Sequence, residues 1–385
     1  MSRLRNLHDA DVSIWLDSLS RDLLDGGAFA RLIDDCWVTG ATSNPTIFAA
    51  AISGSERYDA QLQHLVRAGI DDPQELFFAL ALDDVGRAAD LLLGVHQLSG
   101  GRDGFVSFEC TPDLADDTDA TVAQALELWE RLSRPNVMIK VPATAAGIAA
   151  IEELTYLGVN VNVTLLFSLE RYEQSVEAYL AGLERRRAAG SPLSQVTSVA
   201  SLFVSRLDGK ADALLPAGSP LAGKIAVANA LTVYAAYTER FSGERWQALE
   251  QAGARRQRPL WASTATKNPA YSDLLYVEEL VTPGAINTMP LSTLRAFTDH
   301  GTPARPADPR KTLQAARSQL DLAAIADELE QEGVQAFRAS YRQVLELLDA
   351  KAAKARSGKE LAAPDANAHG NALTGHSTDN QIGAV

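Results

Sequence analysis

This chain of 385 residues is poor in several of the residue types on which function is commonly built. It has two cysteines, Cys36 and Cys110, so neither a disulfide scaffold nor a cysteine-rich metal site can be assembled. No apolar run approaches the ~18 residues of a membrane span. The opening MSRLRNLHDADVS is basic, with no apolar stretch behind it, so it does not read as a secretory signal and a cytoplasmic protein is expected. No histidine pair has metal-ligand spacing, and neither a P-loop nor a G-x-S-x-G occurs. Positive charge is in deficit: 35 basic residues face 49 acidic ones, a formal charge of −14. That balance argues against non-specific nucleic-acid binding, and it requires a local positive site for any anionic substrate. Lysine is the scarcer cation, with eight against 27 arginines, and Lys140 is the first lysine in the chain and the only one before Lys210.

What is present is a soluble globular composition, 46% hydrophobic and 22% charged, with enough chain for a large core. Short β-like runs alternate with longer amphipathic stretches. The strand candidates are 12–16, 38–42, 104–109, 137–141, 159–165, 197–204, 259–263 and 285–289. Helical stretches follow them at about 27–36, 45–98 in pieces, 116–133, 144–157, 168–189, 219–252 in pieces, 272–280 and 291–299. Eight β/α units imply a parallel sheet closed into an α/β (β/α)8 TIM barrel. The rival is an open doubly wound sheet. It calls for a glycine-rich turn after the first strand, where this chain reads DSLSRDLLDGG. Residues 304–353 read as further helices. Phe337, Tyr341, Val344, Leu345 and Leu348 are spaced for a helix face resting on the barrel. Residues 1–355 are thus taken as one barrel domain with C-terminal helices, and 356–385 as a flexible tail.

In a barrel, reactive groups collect where the strands end. Those ends carry Asp17, Asn44 in TSNPT, Glu109 in VSFEC, Lys140 in VMIKVP, Asn162 and Thr164 in VNVNVTLLF, Ser201, Phe203 and Arg206 in SLFVSR, and Lys267 in STATKNP. Lys140 stands out. Burial disfavours an ammonium, and a neutral amine can attack a carbonyl to form a Schiff base. The plainer alternative is a lysine with a buried stem and an emergent head. In VNVNVTL the valines face one way, and Asn160, Asn162 and Thr164 the other, towards the barrel interior or a wet face. Asn44–Pro45 also reads as a helix cap with proline in the first turn. Asp17 and Glu109 are candidate acid/base groups or ordinary paired carboxylates, and Cys110 reads as a small buried hydrophobe. Arg206 and Lys267 suit either a phosphate or a surface ion pair.

Together these segments resemble the transaldolases, in their longer bacterial form. The likeness rests on TSNPTIF, VSFECTPDLADDT, VMIKVPAT, GVNVNVTLLFS, SLFVSRLDGK, WASTATKNPAYSD and NTMP, and it spans about residues 10–350. It implies a TIM-barrel enzyme of the pentose phosphate pathway with no cofactor and no metal. Such an enzyme moves a dihydroxyacetone unit from sedoheptulose 7-phosphate to glyceraldehyde 3-phosphate. By motif, Lys140 corresponds to the Schiff-base lysine and Glu109 to the carboxylate that works through a water on the carbinolamine. Asp17 corresponds to the base for C–C cleavage, and Thr164 to the group orienting the catalytic water. Asn44, Asn162 and Ser201 match hydroxyl-binding positions, Arg206 matches the phosphate arginine, and Phe203 is placed with the substrate-binding group. Lys267 stands where many members carry an arginine. The partners expected are sugar phosphates, with neither nucleic acid nor membrane, in a monomer or homodimer. Two rivals are a fructose-6-phosphate aldolase, which releases the three-carbon unit, and a non-catalytic sugar-phosphate-binding barrel.

Overall fold

A computed structural model describes residues 3–304 and 308–357. Eight parallel strands close into a barrel in chain order. They are β1 (Ser13–Leu16), β2 (Val38–Thr42), β3 (Phe105–Glu109), β4 (Val137–Pro142), β5 (Val161–Leu166), β6 (Ser198–Phe203), β7 (Arg258–Ala262) and β8 (Ile286–Met289). β1 pairs with β8 from Ser13↔Ile286 to Leu16↔Met289, which shuts the ring. Each strand lies within two residues of its expected bounds at either end. Short, nearly continuous β-branched and apolar runs have few ways to be buried on both faces except as parallel strands under helices.

The expected helices are present, and among the described residues three more α-helices were not anticipated: Arg3–Asp9, Arg21–Asp25 and Ser205–Leu214. The last begins without a side-chain cap and contains Gly209, so its sequence gives a weak helix signal. The tail expectation falls mostly outside the described residues, and the last helix, Leu322–Arg356, runs to the edge of it.

The N-terminal end of the barrel is plugged by a buried polar network. Trp15 Nε1 donates to Asp103 Oδ1 at 2.7 Å. The Ser13 hydroxyl also donates to Asp103. Arg258 donates to Ser13 Oγ at 2.6 Å, to the Gly284 carbonyl at 2.7 Å and to the Arg102 carbonyl at 3.0 Å, with Asp103 3.5 Å away. The Trp15 ring fits only because Gly40 faces it: a Cβ there would come within 2.5 Å of the indole. Asn160 completes this end. It donates to the Pro135 and Val137 carbonyls and accepts from the Thr197 amide. The opposite end of the ring is left for the chemistry.

Candidate active site

The strand register assembles the site. Glu109 pairs with Lys140 across β3 and β4, and Lys140 with Asn162 across β4 and β5. Residues paired in a parallel ladder project to the same side, so an acid, an amine and an amide stand in a row inside the barrel. A cavity of about 180 Å³ opens above them, lined by Asp17, Thr42, Asn44, Lys140, Thr164, Ser201, Phe203, Arg206, Thr288 and Phe337 among others. Lys140 is 4% exposed, yet it lines this cavity and does not point out among the outer helices.

Lys140 Nζ donates to Glu109 Oε2 at 3.1 Å and to the Ser43 carbonyl at 3.0 Å. Glu109 also lines a small cavity together with Phe48, Phe77, Phe78 and Phe108. Burial there raises its pKa, opposed by the charge and hydrogen bond of Lys140. A carboxylate held above its ordinary proton affinity beside an amine is a place for that amine's proton to go.

Asp17 follows β1, half-buried on the opposite wall. Burial raises its pKa, while the Thr42 hydrogen bond and the charges of Lys140 and Arg206 pull it down. Thr42 Oγ1 donates to Asp17 Oδ1 at 2.8 Å and lies 2.7 Å from Thr288 Oγ1. A threonine hydroxyl has one proton. With that of Thr42 aimed at Asp17, Thr288 must donate to Thr42, so the two hydroxyls form a relay ending on the carboxylate.

Asn162 lies outside the cavity lining. It is fully buried, donates to Ser107 Oγ at 2.9 Å and accepts from Ser201 Oγ at 2.6 Å, so its amide holds Ser201 at the cavity wall. Thr164 lines the cavity with a hydroxyl that has no protein partner. Just after it, β5 bulges: Val163 pairs with Ala200 and Leu166 with Leu202, so one residue is extra. Leu165 takes that place with φ +59°, a left-handed conformation that costs a branched residue about 1–2 kcal/mol. Asn44 does what its sequence suggested for a cap, accepting from the Ile47 amide at 2.9 Å, and also reaches the cavity.

Arg206 sits at the cavity mouth with its guanidinium 5.3 Å from the Phe203 ring centre. Lys267 is exposed on the loop after β7 and does not line the cavity. Partial loss of solvent from nearby protein, then the Arg206 charge, hold its ammonium below the usual lysine range. Among the described residues neither cation has a carboxylate within ion-pair distance, which removes the surface-ion-pair alternative. Two cations without an ion-pair partner, in an acidic protein, are candidates for meeting an anion.

A family model described as Transaldolase/Fructose-6-phosphate aldolase matches residues 14–348. The chain belongs to this family. Several relatives are named transaldolase. Transaldolase 1 of Streptomyces avermitilis is 53% identical over 306 residues, covering 78% of this chain and 81% of that protein. The transaldolase of Thermobifida fusca is 47% identical over 358 residues, covering 90% and 97%. That of Saccharopolyspora erythraea is 46% identical over 359 residues, covering 90% and 96%. The expectation of an enzyme of the transaldolase kind stands with them, and sugar-phosphate substrates fit the family. Among the described residues no helix is long and apolar enough to cross a membrane.

Thr42, Thr288 and Phe337 line the site but were not assigned to it from the sequence. Thr42 stands two positions before Asn44 in the TSNPT segment, and Thr288 lies within NTMP, so both were inside recognised motifs. Phe337 was placed on a core-facing helix stripe, which gives a face but not what that face covers.

Proposed function

We propose that this protein is a cytoplasmic transaldolase that carries a dihydroxyacetone unit on Lys140. The observation that carries this is the amine itself: inside the barrel, at the floor of a cavity, hydrogen-bonded to a carboxylate whose proton affinity burial has raised.

The ketose carbonyl C2 is attacked by the neutral amine of Lys140, its proton having passed to Glu109. Glu109 then returns protons as the carbinolamine loses water and the iminium forms. The Thr164 hydroxyl, free of protein partners, is suited to hold that water. Asp17 takes the proton of the substrate C4 hydroxyl. The C3–C4 bond breaks, its electron pair moves into the iminium, and the first aldehyde departs, leaving an enamine on Lys140. Attack of that enamine on the incoming aldehyde runs the same steps backwards. Arg206, with Lys267 as a point charge beside it, binds the phosphate, while Asn44 and Ser201 meet sugar hydroxyls. The donor and acceptor pairs follow the family: sedoheptulose 7-phosphate with glyceraldehyde 3-phosphate, giving erythrose 4-phosphate and fructose 6-phosphate. Transfer is favoured over release because the Phe203 ring, unlike a phenol, brings no proton to the enamine.

The test is reduction by borohydride in the presence of fructose 6-phosphate, followed by peptide mass spectrometry. A three-carbon or hexose adduct on Lys140 is expected. An unmodified Lys140 would rule out this mechanism.

A further inference from the structure

Arg206 and Lys267 belong to different segments. Arg206 stands in the first turn of the helix Ser205–Leu214, and Lys267 on the loop that follows β7. Both can hold one phosphate only if loop and helix keep a fixed spacing. The four-carbon stem of a lysine is flexible, so the place of its ammonium depends on the backbone beneath it.

The Arg206 helix also carries two carboxylates one turn apart, Asp208 and Asp212. Both spend their oxygens on the same two segments. Asp212 accepts from the Gly223 amide at 3.1 Å through one oxygen and from the Tyr271 hydroxyl at 2.8 Å through the other. Asp208 accepts from the Ala226 amide at 2.8 Å and from the Tyr276 hydroxyl at 3.0 Å. Each carboxylate thus joins the entry to the helix Ile225–Arg240 to the chain after β7. The Tyr271 ring is seated on bare backbone: at Gly223, φ +69°, a Cβ would come 2.8 Å from its Cζ.

Tyr271 lies four positions beyond Lys267, and one compact turn separates them. The Tyr271 amide donates to the Asn268 carbonyl at 3.1 Å, and the Ala270 amide donates to Asn268 Oδ1 at 3.0 Å. The loop is therefore pinned close to its cation. Tyr271 and Asp212 are both only half-buried, so water could satisfy either of them. Their bond is not needed to rescue a buried donor, and what it does is hold the loop.

We propose that Tyr271 and Asp212 are positioning residues for phosphate binding: their bond ties the Lys267 loop to the Arg206 helix and sets the spacing of the two cations. This rests on the reading of Arg206 and Lys267 as the phosphate ligands. The test compares, in the full-length protein, kcat/KM for erythrose 4-phosphate with that for erythrose, fructose 6-phosphate being the donor. Tyr271→Phe deletes one hydroxyl. It is expected to lower the preference for the phosphorylated acceptor on the order of three- to tenfold, the range for losing one hydrogen bond. The loss is expected in KM rather than kcat, with the erythrose value unchanged. In a Lys267→Ala background, Tyr271→Phe is expected to change nothing further, because it acts through that lysine. An unchanged preference in Tyr271→Phe, whatever its melting temperature, would show a merely structural bond and overturn the proposal. So would an equal further fall in the Lys267→Ala background. Should Tyr271→Phe fail to fold, Asp212→Asn decides it: a fall in the same direction is required, and a flat preference refutes it. Lys267→Ala alone separates the two readings. If it keeps the full preference, the lysine is no phosphate ligand and the underlying reading fails. If it loses the preference while Tyr271→Phe keeps it, only the positioning role fails.

Discussion

Thr42→Val is the sharpest perturbation of the relay that ends on Asp17. The exchange keeps the side-chain shape and deletes one hydroxyl, that which donates to Asp17 at 2.8 Å. A hydrogen bond to a charged group contributes about 1.5–3 kcal/mol. If that bond supports the carboxylate while it draws the C4 proton, its loss slows C–C cleavage about ten- to hundredfold. The pH dependence gives a second, independent readout. Burial raises the Asp17 pKa and the Thr42 bond opposes the rise. Deleting the bond therefore moves that pKa further up. A base must be ionised to act, so the acid limb of the kcat/KM profile shifts to higher pH. Thr42→Ser restores the hydroxyl and should restore both rate and limb. An acid limb that stays put in Thr42→Val, with kcat within about twofold of wild type, would refute the positioning role.

Other expectations follow from the same geometry. Lys140→Ala abolishes turnover with the circular dichroism spectrum retained, and residual activity of the same order as wild type would contradict the mechanism. Arg206→Ala raises KM for phosphorylated substrates and leaves unphosphorylated analogues little changed, as steady-state kinetics on both would show; equal losses would remove the phosphate role. Asp17→Asn stabilises the protein at neutral pH by on the order of 1 kcal/mol, since a carboxyl whose folded pKa is raised penalises the folded state once pH climbs through that pKa. The gain should fade below the ordinary carboxylate range in urea unfolding at several pH values, and a gain that grew on acidification would reverse the sign. Arg258→Met removes the cation beside buried Asp103 and should cost about 3 kcal/mol by urea unfolding; a loss under about 1 kcal/mol would show the plug to be dispensable.

The barrel was legible because its strands are apolar runs bounded by polar ends, a pattern with few alternatives once eight recur. Glu109 was legible because it closes such a run, and Lys140 and Asn162 because each is a polar residue set within one. That Asn162 serves Ser201 rather than the cavity was not, since alternation says which side a residue faces and not which atom it meets. Ser205–Leu214 was missed for want of a cap and for its glycine, the local signals on which helix reading depends. Thr42 and Thr288 escaped notice because their contact joins residues 246 positions apart. A hydroxyl carries no mark of its partner along the chain. Phe337 has the periodicity of any core residue, and only docking of its helix across the mouth gives it a chemical neighbour.

The placement of Leu322–Arg356 has a consequence for biosynthesis. The ring of strands is complete in the chain by Met289, more than thirty residues before this helix begins. Because chains fold progressively as they emerge, a nascent molecule can hold a closed barrel and a competent nucleophile while still lacking its cover. A chain cut short of residue 322 would keep all eight strands and Lys140 while losing the core face that Leu322–Arg356 supplies.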